Sequence, residues 1–184
     1  MTHRWIITAL GKDRPGIVAG VTKALYQLGC NLEDSAMTRL EGEFAVMLIF
    51  SAPAKQTDEQ LRRAFESLGR KLKLTIHLQP LSAGEASSPA KRGRAYLISV
   101  YGADQPGIVY RISEALAGLK VNITDVQTHR SAAEGRRKPS LYVMILEVEL
   151  PAGLTEAVLE PRLKALGKAM GVEVSLRSVE ADVL

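Results

Sequence analysis

Apolar residues along this chain alternate between two periods. Arg4 to Leu10 is a short apolar run that reads as a strand, and Ile17, Val21, Leu25 and Leu28 then recur at helical spacing. Asn31 to Leu40 and Phe44 to Ala52 read as strands across a Glu41-Gly42-Glu43 turn. Leu61, Phe65, Leu68 and Leu72 make a second helical stripe, opened by Thr57 with Gln60 three residues later, the pattern of a capping box. Leu72 to Leu78 then reads as a fourth strand.

Sliding the sequence by 91 residues lays it on itself. Gly11, Asp13, Pro15, Gly16, Ile17 and Val18 meet Gly102, Asp104, Pro106, Gly107, Ile108 and Val109, and Asn31 and Asp34 meet Asn122 and Asp125. From Gly11 to Asp34, 11 of 24 positions are identical, which marks a duplication. The register then slips, since Met47 matches Met144, so the second copy carries six extra residues that include the basic loop at Arg136-Arg137-Lys138. The second copy reads as Arg94 to Tyr101, Gly107 to Leu119, Val121 to Arg130, Leu141 to Leu150, Thr155 to Met170 and Val172 to Val179.

The order strand, helix, strand, strand, helix, strand, twice over, predicts an α+β protein of two tandem ferredoxin-like βαββαβ domains, each an antiparallel four-stranded sheet with two helices on one face. Residues 1–80 and 94–184 form the domains, and Leu81 to Gly93, rich in Ser, Ala, Gly and Pro, reads as a linker. Pro161 removes a helical hydrogen bond, so the last helix is expected to be regular only from that residue. Phe44 to Phe50 is apolar at every position, although a sheet covered on one side should alternate; its second face calls for a cover.

Composition narrows the class without changing this picture. The 46% hydrophobic and 24% charged residues are those of an ordinary globular protein, and the longest apolar run is far short of the ~20 residues a bilayer requires. The net charge of +4 is spread thinly, not gathered into a nucleic-acid footprint. Cys30, the single cysteine, cannot form an internal disulfide and suits a small apolar position at a strand entry. With no sign of a signal peptide at Trp5 to Leu10, a cytoplasmic location is expected. Met37, Met47, Met144 and Met170 read as core filling.

The repeated Asp-x-Pro-Gly-Ile falls between the first strand and first helix of each copy. Pro15 suits the first helical position, and Gly16 leaves the helix N-terminus bare, with N–H groups that favour an anion. Asp13 can cap the turn or accept from an ammonium group, and Asn31 offers both a donor and an acceptor. If loop and asparagine approach one another, directly or across a domain interface, they offer donors for a carboxylate and oxygens for an ammonium group, a combination that suits a free amino acid.

This loop, followed by Asn at the head of the second strand, resembles the ACT domain, a small ligand-binding regulatory module. The stretch from Ile7 to Val18, with Gly29-Cys30-Asn31-Leu32-Glu33-Asp34-Ser35, is more specifically similar to the repressors of the glycine cleavage system, a family of two tandem ACT domains without a DNA-binding domain. The resemblance implies an amino-acid-responsive regulator, with glycine as a possible ligand, that restrains a transcriptional activator by protein contact and contacts no nucleic acid itself. It carries over Asp13, Gly16, Ile17 and Asn31 as site residues, with Asp104, Gly107, Ile108 and Asn122 as their counterparts; Arg14, Pro15, Gln105 and Pro106 complete the two loops. A broader ACT regulator of a metabolic enzyme is the alternative, because the second loop is as intact as the first. A homo-oligomer is possible, and no membrane partner is expected.

Other chemistry fits less well. RNA-binding modules of this fold stack bases on several sheet aromatics beside cations, whereas Glu41 and Glu43 flank Phe44 here. Phosphate-cradling enzymes of the fold would meet Asp13 and Asp104 where the phosphate sits. His3, His77 and His129 are scattered without metal-ligand spacing, and no nucleotide, serine-hydrolase or paired-cysteine motif occurs. Neither catalysis nor a metal or cofactor is expected.

Overall fold

The computed structural model describes residues 2–81, 93–131 and 140–179. It divides into two compact units, Met1–Ser88 and Pro89–Leu184. The first contains β1 (Thr2–Lys12), α1 (Ile17–Gln27), β2 (Asn31–Leu40), β3 (Glu43–Pro53), α2 (Asp58–Leu72) and β4 (Thr75–Leu81). The second contains β5 (Arg94–Ala103), α3 (Ile108–Gly118), β6 (Asn122–Arg130), β7 (Leu141–Leu150), α4 (Glu156–Met170) and β8 (Val172–Ser178). Both sheets are four-stranded and antiparallel, ordered β2-β3-β1-β4 and β6-β7-β5-β8. The linker expected over 81–93 and the insertion around Arg136 fall almost wholly outside the described residues; Leu81 itself is the last residue of β4.

Strand alternation builds one core per unit. Trp5, Ile7 and Ala9 of β1 meet Ile17, Val21 and Leu25 of α1 and Leu61 and Phe65 of α2. Ile98 and Val100 of β5 meet Ile108, Ile112 and Leu116 of α3 and Leu159 and Leu163 of α4. Each large side chain buried this way contributes about 1.5–3 kcal/mol. Cys30 is half-buried at the edge of the first core, and burial pushes its thiol pKa up.

Local signals set the boundaries. Glu41 and Gly42 both have positive φ, 48° and 81°, the requirement of a two-residue type I′ hairpin between β2 and β3. The capping box at α2 is complete: Thr57 Oγ1 accepts from Gln60 N–H at 3.2 Å, and Gln60 Oε1 accepts from Thr57 N–H at 2.9 Å. At the other end Lys73 turns left-handed, with φ 49°, so β4 begins at Thr75, later than the apolar run from Leu72 suggests. Both edge strands β2 and β6 carry a bulge at equivalent places, Leu32/Asp34 and Ile123/Asp125, which gives the duplicated aspartates Asp34 and Asp125 a structural position.

Three further expectations are corrected. α4 is continuous from Glu156 through Pro161, because only one hydrogen bond is forfeited near its start and Leu159, Leu163, Gly167 and Met170 hold the helix against the sheet. Met47 does not correspond to Met144. β1 pairs Thr8 with Met47 whereas its counterpart Ser99 pairs with Ile145, so the insertion is one residue longer than the methionine match implies. A one-residue slip reverses the face: Met144 is fully buried while Met47 is 49% exposed. Met37 is exposed too, leaving Met144 and Met170 as the methionines that fill a core.

The uniformly apolar β3 splits in the same way. Phe44, Leu48, Phe50 and Ala52 point to the helices, and Ala45, Met47 and Ile49 line the opposite face of the sheet, where the first unit places no helix.

Candidate functional site

Gly16 and Gly107 stand at the N-caps of α1 and α3 with φ 93°, ψ −6° and φ 95°, ψ −2°. Those angles are the third position of a type II turn, which needs φ above zero and favours Pro just before it. Pro15 and Pro106 therefore occupy the turn, and each helix starts two residues later than the first-helical-position reading of Pro15 requires. No side chain caps either helix, so Asp13 and Asp104 do not play that part. A methyl group at either glycine would meet nothing within 4 Å, so open space faces both turns.

The aspartates are held elsewhere. Asp13 N–H donates to Gly42 O at 2.8 Å and Asp104 N–H donates to Ser140 O at 2.9 Å, fixing each loop to the neighbouring hairpin end. Their carboxylates pair with arginines on the edge strands, Arg39 Nη1 to Asp13 Oδ2 at 3.4 Å and Arg130 Nη1 to Asp104 Oδ2 at 3.5 Å. The arginine side chains are 69% and 70% exposed and the aspartates 30% and 29%, so both pairs face water and are geometrically equivalent. These arginines belong to no motif in the sequence, and their signal there is that the shift of 91 residues that aligns the loops also lays Arg39 on Arg130.

The loops differ around this shared frame. Arg14 is exposed, whereas Gln105 donates through Nε2 to Met170 O at the end of α4 and ties its loop to that helix. Phe44 beside the first loop is replaced by Tyr142 beside the second; burial, then the Asp104 charge, pushes the Tyr142 hydroxyl pKa up, against a weaker lowering by its hydrogen bond with Thr128. Ile17 and Ile108 are core residues, 1% and 2% exposed, so their side chains anchor the helix starts and only their backbone can face a ligand.

Asn31 and Asn122 are not beside the loops of their own units. Lys12, at the loop end of β1, pairs with Glu43, while Asn31 pairs with Ser51 at the far end of β3. That stretch of strand is about 26 Å long at ~3.3 Å per residue. Asn122 likewise pairs with Glu149, remote from Ala103 and Leu141. The surroundings of the asparagines also differ: near Asn31, Gln56 donates to Leu28 O at 3.0 Å, whereas Asn122 lines an open cleft of about 660 Å³ with Lys120 and Glu149. Among the described residues no three His, Cys, Asp or Glu side chains gather into a metal-binding group, and no helix is long and apolar enough to cross a membrane.

The repeated fold, with a Gly-started helix after the first strand of each unit, agrees with the sequence model of the ACT domain, which matches residues 3–79 and 94–177. The chain belongs to the ACT domain family. It is 29% identical over 178 residues, 96% of its length and 90% of the relative's, to the glycine cleavage system transcriptional repressor of Escherichia coli K12. A crystal structure of an unknown protein from Galdieria sulphuraria superposes with a TM-score of 0.83 at 28% identity, covering 97% of this chain and 99% of that one. The chain is therefore a tandem ACT protein over its described length, similar to a named repressor through both repeats.

Proposed function

We propose that this tandem ACT protein is a non-enzymatic, amino-acid-responsive regulator that acts by contact with a protein partner, a transcriptional activator. The observation that carries the reading is the pair of equivalent loops: each presents an uncapped helix start beside open space, with an aspartate and an arginine held at the same positions. Helix N–H groups and a guanidinium favour a carboxylate, and an aspartate favours an ammonium group. A free amino acid carries both. The similarity to a repressor named for the glycine cleavage system supports glycine as the first ligand to try, and supports a partner in transcriptional control. Within one unit the proposed site is the loop with its aspartate and arginine; Asn31 and Asn122 do not reach the loop of their own unit.

Ligand binding would regulate only by favouring one of two states that differ in partner affinity. Calorimetric titration of the twenty common amino acids tests the ligand. Pull-down from lysate with and without the binding amino acid tests the partner: a transcription factor whose capture changes with ligand supports the reading, a metabolic enzyme replaces the activator with an enzyme target, and twenty flat titrations refute amino-acid sensing.

A further inference from the structure

We infer that Arg39 and Arg130 are the residues that recognise the carboxylate of the amino acid, and that they do so by exchange: the ligand's carboxylate takes the guanidinium from Asp13 or Asp104, and the released aspartate receives the ligand's ammonium group. The inference rests on the reading of the two loops as amino-acid sites and names the residues that read the ligand's two charges.

Strand register places the arginines. Arg39 stands opposite Phe44, and Arg130 opposite Tyr142. Directly paired residues share a face of a sheet. Phe44 is buried toward the helices and Tyr142 packs against the second core, so both arginines emerge on the helix side, at the sheet end where the loops lie. That direction is what brings each guanidinium to its aspartate.

The existing pairs are poised to open. Each is a single long N–O approach of 3.4 or 3.5 Å between partly exposed groups, which water screens and which therefore holds weakly. A guanidinium carries five N–H donors in a planar fork, so one long contact leaves it able to meet a carboxylate at two points. The aspartate backbones are pinned to Gly42 O and Ser140 O, so the carboxylates turn without displacing the loops. Charge balances throughout: one ion pair and one zwitterion become two ion pairs, and no charge is left unpaired. Gly16 and Gly107, with no side chain, leave the adjoining space open.

The duplication supplies a second argument. Between the two sites Arg14 becomes Gln105 and Phe44 becomes Tyr142, yet the arginine and aspartate are kept with one spacing and one geometry. Pairs this weak do little for stability, so stability does not account for both being present.

The test is calorimetric titration of the full chain with glycine, L-alanine and L-serine and with the methyl ester of each, which keeps the ammonium group and lacks the carboxylate charge. The wild type is expected to favour the acids over the esters at least tenfold. In Arg39→Gln/Arg130→Gln the acids should lose at least tenfold in affinity while the esters change little, so the preference collapses; Arg39→Lys/Arg130→Lys should recover part of it. A merely structural role would weaken acid and ester alike. In parallel, the Nε–H resonances of Arg39 and Arg130 in wild-type protein should shift on adding the acid and not the ester, a readout that needs no variant to fold. If the Gln variant keeps the full preference, or those resonances stay fixed while the acid binds, the inference is overturned and amino-acid sensing stands. If neither these three nor any of the twenty amino acids binds the wild type, both fall together.

Discussion

Gly16→Ala separates a turn from a binding site. At φ 93° an L-residue pays about 1–2 kcal/mol that glycine does not, and because the new methyl would meet no atom within 4 Å, no clash adds to it. Trp5, the single tryptophan, is buried in the first core and reports that unit by fluorescence. With a urea m value of about 1 kcal/mol/M for a unit of this size, the midpoint should fall by roughly 1–2 M. Gly16→Asn should fall less, since asparagine tolerates the left-handed region. Calorimetry on the folded variants then gives the second reading: affinity for the amino acid should drop, because the methyl fills the space the ligand needs. An unchanged midpoint would refute the argument from backbone strain. A lowered midpoint with wild-type affinity in both Gly16→Ala and Gly107→Ala would mean that the loops only turn the chain.

Neighbouring positions on β3 and β7 test the register. Leu48→Ala and Met144→Ala should each cost about 2–5 kcal/mol in chemical denaturation, against less than ~1 kcal/mol for Met47→Ala on the open face. Equal costs would show the register to be wrong. Thr57→Ala should destabilise the first unit by ~1 kcal/mol through its capping box, whereas Thr155→Ala, whose side chain caps nothing, should be nearly neutral by circular dichroism melts. Tyr142 has a folded pKa raised above its unfolded value near 10, so its contribution to stability is present below that pH and is lost as pH rises through the folded value. Tyr142→Phe should flatten the alkaline fall in stability above pH ~10, and an unaltered slope would exclude the phenol as its source. Cys30, its pKa raised by burial, should react with iodoacetamide more slowly at pH 8 than a free thiol does.

The fold was legible because its signals are periodic and occur twice. Helical stripes such as Ile17, Val21 and Leu25, the Thr57–Gln60 box and the Glu41-Gly42 turn each act over a few residues, and the structure places each where its spacing indicates. Matching single residues across an insertion was less secure. The Met47–Met144 match ignored the face each side chain takes, which only pairing with β1 and β5 reveals. The loops were visible as motifs, but the distance from loop to asparagine is a property of strand direction: Asn31 starts β2 at the far end of the sheet because α1 carries the chain back along it. Arg39 and Arg130 are hidden in the sequence for the converse reason. They lie 26 residues from their aspartates, and only the hairpin brings them home.

A duplicated sequence retains two kinds of likeness, and their physical costs differ. Features the fold requires, such as Gly16 and Gly107 at positive φ or the bulges at Asp34 and Asp125, recur because removing either copy would strain or misregister a unit. The Asp13–Arg39 and Asp104–Arg130 pairs are not of that kind, since water screens both and each unit would fold without them. Nor does charge at the surface in general recur: the Arg4–Glu33 pair at the opposite end of the first sheet has Ala95 and Thr124 as its counterparts. An exposed pair repeated where another is lost points to selection on what the pair meets in solution. Beside two open helix starts, a small molecule bearing both charges meets that description better than a purely cationic or purely anionic one, because it can form a charge-assisted contact with each member of the opened pair while either of those reaches only one.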